Sequence, residues 1–366
     1  MAYILSVGKS LPPNKLPQEA TVEFAKELFE GTFKDINRLL PAFKNGDIES
    51  RQFVKNLEWY TVQHSFEDKN NTYIEAAVSL GSDAIVNCLT AKNFLKRDIA
   101  FEEIDVIFFI SSTGISTPSI DAKIMNQLPF RESTKRVPIW GLGCAGGASG
   151  LARAHDYCKA YPQSKVLVVC VELCSLTFQH DDLSKSNFIG TSLFADGVAC
   201  TLLAGEDVLL DEISALINVP KTRSTRSTFM KDSEEVMGWD IKNNGFYVIF
   251  SRDIPSIIKN WLRETVEKYL EEEQVPLNEI KHFLAHPGGK KVLQAYQASL
   301  GFEESQLEVS KNVLRNHGNM SSATVMYVIE QYLTSTLADD SDLGIIAALG
   351  PGFCSELLLV EWEKVA

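Results

Sequence analysis

Cysteine is scarce and unpatterned in this chain: there are seven in 366 residues, an odd number, with no Cys-x-x-Cys pair and no finger-like spacing. That argues against a disulfide scaffold or a sulfur-bound metal and for a reducing compartment. A surplus of positive charge is missing as well. The 35 Lys and Arg stand against 48 Asp and Glu, a formal net charge of −13, so neither nucleic acid nor an anionic membrane is an expected partner, and an anionic ligand would need a local basic patch. No uninterrupted apolar run approaches the ~20 residues that a bilayer crossing needs, and residues 1–8 lack the charged and apolar regions of a secretion signal. Together these absences give a cytoplasmic location as the expectation. What is present is a globular composition, 45% hydrophobic and 23% charged, long enough for one large or two intimately joined domains.

Apolar strand-like runs at 104–110, 137–140, 165–171, 198–203, 282–285 and 343–349 alternate with helical periodicity at 73–87, 148–159, 256–272 and 322–333. The pattern predicts an α/β fold with at least partly buried sheets, and Asn71 with Glu75 is the expected cap of the first helix. Residues 221–244 are polar and show no clear period, so they read as a linker between a half at 1–220 and a half at 221–366. Both halves repeat one order: a strand, a small-residue turn carrying a reactive side chain, then a helix.

Three turns carry the chemistry. In the first, Gly141, Gly143 and Gly146 spell GxGxxG between strand and helix, and Glu172 ends the next strand, a pattern that also fits a dinucleotide site. Cys144 stands inside that turn, where unpaired helix N–H groups and the helix dipole favour thiolate; the plainer reading is a small buried residue. In the second, His286 ends an apolar strand before Pro287-Gly288-Gly289, whereas His64, His155, His180, His282 and His317 are assigned to ordinary packing. In the third, Asn319 lies in Gly318-Asn319-Met320-Ser321-Ser322, as a helix cap or as an oriented hydrogen-bond donor. Cys, His and Asn together supply a nucleophile, a base and an oxyanion donor. Papain-like proteases use the same three residue types, but the GLGCAGG context differs from theirs.

Trp140-Gly-Leu-Gly-Cys144-Ala-Gly-Gly, His286-Pro-Gly-Gly, Gly318-Asn319-Met-Ser-Ser and Gly350-Pro351-Gly352, in this order across nearly the whole chain, resemble the type III polyketide synthases, the chalcone synthase-like family. The segments 112–114, 171–178 and 193–197 look like the family's cavity-lining stretches. The resemblance implies a thiolase-like αβαβα five-layered fold with pseudo-duplicated halves, a homodimer, and CoA thioesters as substrates with no metal or redox cofactor. Cys144 would take an acyl-CoA starter, malonyl-CoA would be decarboxylated to an enolate, and His286 and Asn319 would hold the oxyanion. A pyrone or resorcinol-type product is expected, of the bacterial alkylpyrone kind. Initiating ketoacyl synthases, which take malonyl groups from a carrier protein, and hydroxymethylglutaryl-CoA synthase are the related alternatives.

By the same resemblance, Ser112, Thr117, Cys174, Thr177, Phe194, Val248, Gly288, Gly289, Ser321 and Pro351 would line the substrate cavity. Phe194 matches one of two aromatic gatekeepers. Val248 falls at the other, which implies a wider passage. Thr117 stands where plant enzymes carry a methionine reaching across the dimer, Cys174 where they carry threonine, and Ala348-Leu349 where Gly and Phe are usual. Arg38, Lys44 and Arg51 lie in the region of the family's CoA-binding cations, with Lys290 and Lys291 as a second set.

Overall fold

The computed structural model describes residues 1–29, 36 and 39–365. In chain order the elements are β1 (Ala2–Ser10), β2 (Asn14–Pro17), α1 (Gln18–Leu28), α2 (Pro41–Lys44), β3 (Ser50–Phe53), α3 (Phe66–Leu89), β4 (Val106–Ile110), α4 (Ile120–Met125) and β5 (Lys135–Ile139). Next come α5 (Gly146–Ala160), β6 (Lys165–Leu173), α6 (Lys185–Leu193), β7 (Asp196–Gly205), α7 (Leu210–Ile213), β8 (Asn218–Phe229), β9 (Met237–Lys242) and β10 (Gly245–Phe250). The last are α8 (Ile254–Glu272), β11 (Ile280–Ala285), α9 (Lys290–Leu300), α10 (Glu308–His317), α11 (Thr324–Thr334), β12 (Leu343–Gly350) and β13 (Cys354–Lys364).

Nine strands form one mixed sheet in the order β11-β12-β13-β8-β1-β7-β6-β4-β5. Pairing is parallel toward both ends, β11 with β12 and β6 with β4 with β5, and antiparallel between. The sheet curls around α5 and α11: α5 touches β4 and β6 near one end and β8, β12 and β13 toward the other, while α11 touches β1, β7, β11 and α5. Both helices are buried on nearly every face, as a central layer requires. The approach is close because α5 begins with glycines; a Cβ on Gly147 would lie 2.2 Å from the Ser322 carbonyl oxygen. Outside, α3 covers β1, β6 and β7, and α8 and α9 pack over β11 and β12 around a second core. The layers are α/β/α/β/α, the expected five.

The strand and helix runs read from the sequence all form, with two differences. Helix α3 starts at Phe66 rather than after Asn71, because the Ser65 side chain accepts from the Asp68 N–H (3.1 Å), which leaves Asn71 inside the helix. Residues 221–244 are not a linker. Lys221 to Phe229 belong to β8, at the middle of the sheet, and 237–242 form β9, which pairs with β10 as a hairpin. Polar side chains hid β8: Arg223 and Arg226 lie at its half-buried face, paired with Glu361 and Glu272.

Candidate active site

The strand–turn–helix order of the two halves delivers the reactive side chains to one place. Strand β5 leads through a 3₁₀ turn, Gly143–Ala145, that holds Cys144 immediately before the N-terminus of α5. Strand β11 ends at Ala285; the His286 N–H bonds the Ala347 carbonyl (2.8 Å), which ties the turn to β12 before α9 begins. Asn319 follows Gly318 after α10 and is stitched to the end of α6: its N–H bonds the Leu193 carbonyl and its carbonyl accepts from the Ala195 N–H, both at 2.9 Å.

Cys144, His286, Gly288 and Asn319 line a single cavity whose other walls are apolar, with Met237, Phe250, Ile258, Val292, Tyr296 and Leu349 among them. Asn319 is not a helix cap; α11 is preceded by Ala323. Its Oδ1 accepts from the Ser321 N–H (2.8 Å), fixing the amide so that Nδ2 donates one hydrogen to the Gly288 carbonyl (3.1 Å) and keeps a second. The Cys144 Sγ lies 3.9 Å from the same Oδ1. Neither ring nitrogen of His286 has a hydrogen-bond partner among the described residues, although the ring is buried. A buried imidazole with both nitrogens unspent, beside a thiol, is the arrangement a ligand would complete.

Burial dominates the electrostatics. It pushes the Cys144 thiol up to about 12, with Glu172 adding repulsion and Ser321 and Asn319 opposing. The His286 imidazole is pushed down to about 3 by burial alone. Glu172 is fully buried and raised to about 7, against hydrogen bonds from Ser322 Oγ (2.5 Å) and the Ser112 N–H and Oγ (3.1 Å each). It therefore points into the protein and not toward a ribose, and the N-terminal turn of α5 abuts the 321–325 segment, which leaves no room for a pyrophosphate. The dinucleotide reading fails on both counts.

A second cavity is lined by Phe24, Phe53, Leu57, Tyr60, Phe178, Phe194 and Val248, with Cys174 and Thr177 also in its wall. This cavity contains the expected gate pair, Phe194 and Val248. The β9–β10 hairpin borders both: Met237 opposite Phe250 faces the Cys144 cavity, and two residues along each strand, Trp239 stands opposite Val248. The Trp239 ring centroid is 5.9 Å from that of Phe194. Trp239 thus packs against the Phe194 ring on the strand opposite Val248, outside the lining of either cavity, while Val248 itself lines the second. The signal for Trp239 was legible, since Met237, Trp239 and Ile241 alternate within the stretch taken for a linker.

The remaining expected residues separate. Gly289 is buried beside Leu193, Pro351 packs against Gly143, and Ser112 is spent on Glu172. Thr117 is exposed on the single chain and lines neither cavity. Lys44 is exposed at the end of α2, Lys290 pairs with Asp47 (3.0 Å), and Arg38 lies outside the described residues. Arg51 is no surface cation: it is 1% exposed, its Nη1 and Nη2 donate to acceptors of the chain itself, and its Nε has no partner among the described residues. His282, bonded to Asp342 (3.0 Å), and His64, stacked 3.7 Å from Trp59, are packing residues.

Residues 53–207 match the N-terminal domain of the chalcone and stilbene synthases, and residues 221–362 match their C-terminal domain. The chain belongs to that family. It is 54% identical, over all 366 residues and the full length of both chains, to the Bacillus subtilis (strain 168) protein named "Putative chalcone synthase". It is 32% identical to the 1,3,6,8-tetrahydroxynaphthalene synthase of Streptomyces peucetius subsp. caesius, covering 98% of this chain and 93% of the other. The crystal structure of the Streptomyces coelicolor A3(2) tetrahydroxynaphthalene synthase, a bacterial type III polyketide synthase, superposes with a TM-score of 0.90 at 25% identity over 99% of each chain. The C-terminal type III domain of Steely1 from Dictyostelium gives 0.89 at 25% identity, over 100% and 99%. This chain is a chalcone synthase-like type III polyketide synthase with the thiolase-type fold.

Proposed function

We propose that the enzyme condenses an acyl-CoA starter with malonyl-CoA on Cys144. The thiol proton passes to His286, and the thiolate attacks the starter thioester; a carbon–sulfur bond forms and CoA leaves, taking a proton. Malonyl-CoA then loses carbon dioxide, and the electron pair of the broken bond becomes an enolate. Its oxyanion is held by a His286 N–H and the unspent Asn319 Nδ2–H. The enolate carbon attacks the Cys144 thioester, releasing the thiolate and leaving a chain longer by two carbons on CoA. Electrophile and carbanion both come from the thioesters, so no resident cofactor enters the balance.

The observation that carries this reading is the convergence of Cys144, His286 and Asn319 on one largely apolar cavity, with both imidazole nitrogens and one amide hydrogen free among the described residues. The adjoining cavity is lined mainly by aromatic and aliphatic side chains. That lining favours an aliphatic starter and a pyrone or resorcinol-type product. Unpaired, buried cysteines throughout the chain support a cytoplasmic enzyme. A homodimer through the β5 edge is part of the same proposal, which places Thr117 near the subunit boundary: Trp140 Nε1 bonds the Gly114 carbonyl (3.3 Å), linking the 114–118 segment to that edge.

The test is incubation with labelled malonyl-CoA and acetyl- to stearoyl-CoA starters, without carrier protein, followed by mass analysis. Pyrone or resorcinol masses are expected, vanishing in Cys144→Ala while slow malonyl-CoA decarboxylation persists. Substitution of Asn319 should slow decarboxylation by about 10²–10³, the usual loss for one oxyanion donor. Equal loss of both half-reactions in Cys144→Ala, or a strict need for carrier protein, would overturn the assignment.

A further inference from the structure

Arg51 lies on β3, a short strand buried at three of its four residues, and its side chain ends among backbone carbonyls. Its Nη1 donates to the carbonyls of Thr191 (2.8 Å) and Phe194 (2.7 Å), and its Nη2 to Thr21 Oγ1 (2.8 Å). These carbonyls belong to the last turn of α6, whose C-terminal acceptors have no partner within the helix and carry the negative end of its dipole. Gln18 Nε2 reaches the same turn at the Ser192 carbonyl (3.1 Å). Burial pulls the guanidinium down to about 9, with the Asp196 carboxylate opposing, so it stays cationic at neutral pH.

That turn carries the gate ring and holds Asn319. The backbone of Asn319 bonds Leu193 and Ala195, the two neighbours of Phe194. Arg51 also packs against Gly318, the residue before Asn319. Gly318 has φ +71°, and a Cβ there would lie 2.8 Å from Arg51 Cγ and Cδ. The arginine is wedged against both segments whose pairing fixes the Asn319 backbone.

We propose that Arg51 is a positioning residue: by clamping residues 191–194 and buttressing Gly318, it sets where the Asn319 carboxamide and the Phe194 ring stand relative to Cys144. The proposal rests on the decarboxylative reading above and assigns Arg51 a role distinct from holding CoA phosphate. A CoA cation acts on affinity. A positioning residue acts on the enolate-forming step, because a displacement of even 1 Å of an oriented group costs about 10²-fold in rate.

The experiment compares malonyl-CoA decarboxylation, which needs no acylation of the cysteine, in wild type, Arg51→Lys and Thr21→Val. A lysine keeps the charge but cannot span two carbonyls and a hydroxyl; Thr21→Val removes one acceptor and leaves the carbonyl clamp. Expected for Arg51→Lys is a kcat lower by about 10–100-fold with KM within about twofold, and for Thr21→Val a smaller fall of the same kind. The rate of Cys144 alkylation by iodoacetamide should stay near wild type in both, which general loosening would not allow. A raised KM at unchanged kcat would make Arg51 a CoA-binding cation, and unchanged kinetics in the folded variants, or a parallel fall in kcat and alkylation, would make it scaffold; each overturns the proposal. If Arg51→Lys does not fold, the Thr21→Val split decides. A wild-type protein that fails to decarboxylate malonyl-CoA would overturn the underlying reading itself.

Discussion

Cys144 and His286 share one cavity, where burial holds the thiol up at about 12 and the imidazole down at about 3. Each charge alone is therefore disfavoured. Proton transfer from sulfur to nitrogen creates both charges together, and their attraction in a low dielectric, with the N-terminal amides of α5 beside the sulfur, offsets the desolvation that each would suffer separately. The sign is testable. If the pair ionises together, Cys144 alkylation by iodoacetamide follows a thiol titrating below the ordinary value of about 8.5, and His286→Ala shifts that titration upward. Glu172 works in the opposite direction: as it ionises near 7 its charge opposes the thiolate, so Glu172→Gln should lower the apparent thiol titration. Alkylation that rises only above pH 9 in wild type and His286→Ala alike would show that the pair stays neutral and that sulfur is activated only by bound substrate.

At the level of elements, the β9–β10 hairpin borders both cavities, and its Trp239 packs against the Phe194 ring. Trp239→Ala should open the space beside Phe194 and move the preferred starter toward longer chains, while Val248→Phe should shorten it. Product masses across a starter series from acetyl- to stearoyl-CoA read the shift directly; an identical length profile in all three proteins would remove the hairpin from substrate selection. The same hairpin shows where the sequence was legible and where it was not. The buried strands β4, β6, β7, β11 and β12 announce themselves as apolar runs because both faces are covered. Strand β8 does not, because one face meets ion-paired arginines. Cys144, His286 and Asn319 stand out because each sits beside glycines in a turn, a local signal. The walls of the second cavity come from α1, the 53–60 segment, the 174–178 turn, α6 and β10, and nothing local in any of them says that they meet. Arg51 was visible as a charge, but whether a cation on a short strand faces water or the end of a helix is decided by α6, 140 residues later.

For the whole molecule, the nine-stranded sheet leaves one problem at its β5 edge. Strand β5 is largely exposed and carries Val137 at 37% exposure, with Trp140 just beyond it at 48% and Ile115 nearby at 47%. Among the described residues no strand pairs its outer side. An uncovered edge with apolar side chains invites pairing with another chain, and a two-fold axis through this edge would make the patch self-complementary, each subunit covering the other. Pro138, with no N–H to give, limits the ladder such a pairing could form, so apolar contact through Val137 and Trp140 would supply much of the association. Sedimentation should therefore find wild type at twice the 40.7 kDa of the chain, and Trp140→Glu or Val137→Glu at the monomer mass with unfolding little changed, because both residues are already half in water as a monomer. Wild type sedimenting as a monomer at micromolar concentration would refute the β5 interface, and a dimer that survives both substitutions would move it to another face.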